Sequence, residues 1–118
     1  MKKLMFALCL IVSPLLPASA MADCTYPKPP DTMPNGGTAS KDEMVAAMAA
    51  YKQYNTDVDT YTACLDQETA DKVKEAAGAG AIMQIKAIQS KKRSSANDER
   101  QAKIEEFNKQ IRTFKAKG

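Results

Sequence analysis

The sequence predicts an all-α fold, an antiparallel helical hairpin of two long helices preceded by an extended Pro-rich N-terminal arm. Three observations carry this expectation. Met44, Ala47, Tyr51, Tyr54, Val58, Tyr61 and Leu65 recur at alternating spacings of three and four, which places them on one helix face. The same spacing returns in Ile104, Phe107, Ile111 and Phe114. Between the stripes lies Gly78-Ala79-Gly80, a natural stop for the first helix. Folding the chain back near Ala79 sets Met44 against Phe114, Ala47 against Ile111, Tyr51 against Phe107 and Tyr54 against Ile104. Four layers then match large to small in one register.

Composition supports an α fold and narrows the chemistry. Aromatic residues make up 6% of the 118 positions and Trp is absent, too few for the strands of a β-sandwich. His is also absent, which excludes a His general base, a His relay or a His-bearing zinc site.

Residues 1–22 read as a secretory signal peptide. Lys2 and Lys3 precede the apolar run Leu4–Leu16, and Ala18-Ser19-Ala20-Met21-Ala22 supplies the small residues of a cleavage site. Cuts after Ala20 and after Ala22 both fit, the second better. The run is too short for a membrane-spanning helix, which needs about 20 apolar residues. Asp23 before Cys24 argues against lipidation. The expected destination is the periplasm, with secretion as the alternative, and the cleaved chain should not span the membrane.

Residues 23–40 hold Pro27, Pro29, Pro30, Pro34, Gly36 and Gly37, which favours an extended, polyproline-like arm. With Cys9 removed in the signal segment, Cys24 and Cys64 remain, and an oxidising compartment favours a disulfide between them. An intermolecular bond is the rival. The arm can span about 50 Å in polyproline form, while Cys64 lies about 35 Å along a helix that starts near Lys41. The arm can therefore run beside the helix and staple to its far half.

Residues 41–118 form the helical domain. Ser40 and Glu43 make a capping box, so the first helix starts at Lys41 and runs to about Ala77. The second covers about Ala81 to Lys115. Residues 23–71 carry three Lys against nine carboxylates, whereas residues 72–118 carry twelve Lys/Arg against five, so the two arms attract. The middle of the register is in conflict: Val58 would face Arg100, Tyr61 would face Asn97 and Leu65 would face Arg93. Lys91-Lys92-Arg93 followed by Ser94 and Ser95 also reads as a helix end and a new N-cap. The alternative is a three-helix bundle with turns near 66–69 and 93–95 and a middle stripe of Val73, Ala77, Ala81, Ile85 and Ile88.

Tyr61-Thr62-Ala63-Cys64-Leu65 and the segment from Phe107 to Lys115, Phe-Asn-x-Gln-x-Arg-x-Phe-Lys, resemble small exported proteobacterial helical proteins. Those proteins pair an early cysteine after the signal peptide with a second one on a helix. The resemblance implies export and architecture, and it carries no activity.

Sites of chemistry are few. Asp57 with Asp59, Asp98 with Glu99, and Glu105 with Glu106 diverge on a helix and make no convergent acid–base pair. Met44 and Met48 fit core filling better than a soft-metal site. No enzyme activity, cofactor or metal is expected. Lys91, Lys92, Arg93, Arg100 and Lys103 form a basic patch without interleaved aromatics, which suits an envelope surface or acidic partner and not nucleic acid. Asn108, Gln110 and Arg112 offer a recognition edge. The expected function is protein–protein contact as a structural or accessory module, with a homo-oligomer or an unknown protein as partner. The alternative is a small-ligand or envelope-lipid carrier walled by Tyr51, Tyr54 and Tyr61.

Overall fold

The computed structural model describes residues 23–118; the expected signal segment lies outside the described residues. Two helices, α1 (Lys41–Glu75) and α2 (Ala79–Lys117), pack antiparallel as a hairpin, with no strand among the described residues. At the start of α1 the Ser40 hydroxyl accepts from the Glu43 backbone N–H (3.1 Å), and the Glu43 carboxylate accepts from the Ser40 N–H (2.6 Å). These reciprocal bonds hold the Glu43 carboxyl below its usual pKa, the bond from the Ser40 backbone contributing most.

The hairpin turn lies two residues earlier than the sequence suggests, at 76–78 in place of 78–80. α1 stops at Glu75, before the glycine cluster, and Ala76 closes it in an extended conformation. Gly78 has φ 92°, a left-handed value that suits glycine, and its carbonyl accepts the Ile82 N–H. Gly78 thus serves as the N-cap of α2 and Gly80 lies within the first turn of that helix. The Tyr51–Phe107 layer forms as expected, with ring centroids 4.6 Å apart, whereas Ile104, expected opposite Tyr54, lies outside the buried cluster and lines a surface depression.

The three-helix alternative fails because α2 runs unbroken through Lys91–Asn97. Ser94 and Ser95 sit exposed on its surface and cap nothing, while Ala96 is 1% exposed in the core. Continuing the helix turns Ala96 into the seam, and that packing outweighs the modest helix preference of the serines. The conflict in the middle layers is resolved by the arginines leaning outward. Arg100 Nη1 bonds the Asp59 carboxylate at 2.6 Å, and Arg93 pairs with Asp66 and donates to the Thr62 carbonyl. The seam is left to Val58, Tyr61 and Leu65 of α1, all buried.

The N-terminal arm covers what small Ala96 cannot. From Ser40 it runs back along α1 to the Cys24–Cys64 disulfide, which closes a separation of 40 residues. Tyr26 sets its ring edge-on to Tyr61 (centroids 5.3 Å) and donates its hydroxyl to Glu99 of α2 at 2.9 Å. Tyr51 donates to the Met33 sulfur. Asn35 accepts from Gly37, Thr38 and Ala39 in a tight turn, and the Gly36 N–H donates to the Gln110 side chain at 2.9 Å. Gly36 is buried so close to the Gln110 carbonyl that a Cβ has no room. Lys117 clamps the same turn from the other end by donating to the Ala39 carbonyl (2.9 Å).

Two outcomes follow. Reducing the disulfide, or replacing Cys64 by Ser, removes about 4 kcal/mol of stability in the chain-entropy account, measurable as a lower midpoint of urea unfolding. Gly36→Ala forces the arm off α2 and costs about 2 kcal/mol, in the range of an overpacked core. Its signature is faster hydrogen exchange at the Gly36, Thr38 and Ala39 amides while helix content stays.

Candidate functional site

The arm lies on one side of the helix pair and leaves the other side uncovered, so the two faces of the hairpin differ in chemistry. The tyrosine stripe belongs to the covered side and to the seam. Tyr51, Tyr54 and Tyr61 are buried, Tyr51 packing on Phe107 and edge-on to Tyr54. Met44 is buried with them, and Ala47, Ile111 and Phe114 pack against the cluster half-buried. Phe107 fills the stripe at Tyr51, whereas Tyr61 and Tyr26 line a depression of about 580 Å³ beside the arm, with Asp57, Thr60 and Cys64. Burial raises the pKa of all three phenols above 10.0. For Tyr26 a Ser95 hydroxyl pulls downward, but burial and the Glu99 carboxylate outweigh it and the net shift is upward.

On the uncovered side the helices form an open groove. Met48, Lys52 and Asn55 of α1 follow the i, i+4, i+7 spacing, and so do Ile104, Asn108 and Ile111 of α2. These six residues surround a depression of about 240 Å³ whose floor is the Tyr51–Phe107 stack. Met48 is 42% exposed there, so Met44 and Met48, one turn apart, do different jobs. Next to it, Asn97, Arg100, Gln101, Glu105 and Arg112 line a wider, more polar depression of about 600 Å³. Ile104 and Asn108 belong to both, which makes the two one continuous surface.

The basic patch does not form one free surface. Arg93 and Arg100 are tied to Asp66 and Asp59 of α1, and Lys92 lies near enough to Glu68 to help hold its carboxyl down, after the larger effect of Lys72. Lys91 is exposed and Lys103 half-buried. Of the five side chains, the two arginines hold α2 to α1. The recognition edge also splits: Gln110 is spent on Gly36 of the arm, whereas Asn108 and Arg112 line the open groove.

Two features had no sequence signal. Tyr26 sits among prolines with no periodic neighbour, so nothing in the sequence marks its half-exposed ring as a lid on Tyr61. Gln89 is buried at 5% exposure, and its amide makes no well-formed hydrogen bond although it helps to hold the Glu68 carboxyl down. Among the described residues no three or more His, Cys, Asp or Glu side chains cluster as metal ligands, and no helix is long and apolar enough to cross a membrane.

The tyrosines set an alkaline limit. A phenol whose folded pKa is raised stabilises the fold fully below its unfolded value and loses that contribution as pH rises through the folded pKa. Tyrosinate absorbance of the native protein should therefore rise at higher pH than that of the denatured chain and reach completion together with helix loss. Coincident native and denatured titrations would show that the seam is not closed. Compared with known proteins, the chain matches no family model, no curated protein and no solved structure.

Proposed function

We propose that this is a non-enzymatic, exported protein that acts in the periplasm through protein–protein contact, as a structural or accessory module. The observation that carries the reading is the asymmetry of the hairpin. One side carries a covalently tethered arm, while the other presents Met48, Ile104 and Ile111 between carboxamides and charged rims. Partly exposed apolar residues ringed by polar ones are the usual composition of a protein contact surface. The Cys24–Cys64 bond suits an oxidising compartment, and the resemblance to exported helical proteins agrees with it.

A photocrosslinking amino acid at Asn108 on the open groove, compared with one at Thr60 beside the arm, tests this in periplasm. Discrete protein adducts at Asn108, absent at Thr60 and lost on Ile104→Glu, are the expected result. A copurifying lipid or metal with no protein adduct at either position would overturn it.

A further inference from the structure

We infer that the open groove is the contact surface for a second copy of this chain, and that the two hairpins pair face to face as a four-helix bundle. The inference rests on the protein-contact reading above and names the partner. Its first support is charge. α1 carries four Lys against eight carboxylates, and α2 carries ten Lys/Arg against four. Two hairpins can meet on their open faces in two ways. With the turns at opposite ends, each α1 lies on the other α1 and like charges meet. With the turns at the same end, each acidic α1 lies antiparallel on the basic α2 of the other copy, and like-charged helices sit on the diagonals.

The second support is register. In the same-end arrangement the layers within one hairpin continue into the next, because α1 and α2 are again antiparallel at the same heights. Asp59 of one copy comes level with Arg100 of the other, and Lys52 with Glu105. The existing pair of Arg100 with Asp59 and Asn55 then becomes part of a network shared by both chains. Met48, Ile104 and Ile111 of both copies meet at the centre, over the two Tyr51–Phe107 stacks.

The third support is area. Two helices of 35 and 39 residues offer an open face on the order of 1,000 Å². A stable interface needs roughly 800 Å² per partner.

Sedimentation equilibrium of the oxidised chain without its first 22 residues gives the first readout, and a spin label on Ala79→Cys, measured by pulsed EPR, gives the second. The expected result is a dimer whose turn-to-turn label distance is about 20 Å, as adjacent helices require, and not about 50 Å, the length of the hairpin. Ile104→Glu should weaken dimerisation at least about tenfold, with helix content and the disulfide unchanged. Thr60→Glu, beside the arm, is a control that should leave the dimer intact. A monomer at all concentrations overturns the inference, as does a dimer with distant turns or one insensitive to Ile104→Glu. A monomer that still gives heterologous adducts at Asn108 overturns only the second copy, and a monomer without any adduct overturns the contact reading too.

Discussion

The structure depends on a gap in its own seam. Where α1 offers Val58, Tyr61 and Leu65, α2 offers Ala96 and two arginines that lean away toward Asp59 and Asp66. A two-helix hairpin cannot bury both sides of such a stripe. The arm supplies the missing layer, with Tyr26 on Tyr61 and Cys24 packed against the same cluster. The disulfide therefore does two things at once. It restricts the unfolded chain, and it holds in place an aromatic ring that the helices lack. An extended, proline-rich segment suits the task because it loses little conformational entropy when it is laid down.

Charge follows the same division. The ion pairs between α1 and α2 are largely exposed, and each contributes little by itself. Their effect is on specificity. Arg93 and Arg100 fix how far α2 slides along α1, while the stacked Tyr51 and Phe107 supply buried area in the same register. On the side away from the arm Arg100 stands with Lys52, Glu105 and Arg112 around Met48, Ile104 and Ile111, where apolar contact and charge selection can act together on a partner.

Much of this was legible in the sequence, for identifiable reasons. The stripes from Met44 to Leu65 and from Phe107 to Phe114 are legible because helix periodicity and a single fold-back point bring Tyr51 onto Phe107, whereas Ile104, on the same stripe, lines the open groove. The Ser40–Glu43 box and the tethered arm follow from local chemistry and from cysteine counting. Sequence pattern is silent where one residue's role depends on distant ones. Ser94 and Ser95 resemble a cap until Ala96 is seen in the core. Arg93 and Arg100 resemble a free basic surface until Asp66 and Asp59 are found across from them. Tyr26 had no pattern to mark it, because an arm docked in a groove has no period. For the same reason the open groove could not be located from sequence, since which side the arm covers is a three-dimensional choice.

The central claim is that the tethered arm completes the core over the middle of the seam. Hydrogen exchange of the oxidised and reduced protein, compared amide by amide, tests it most directly. The account predicts that reduction lowers protection chiefly in residues 54–65 of α1 and 93–100 of α2, while the Tyr51–Phe107 layer and the segment around Gly36 change less. Equal protection in both states, or a loss spread evenly along both helices, would contradict it.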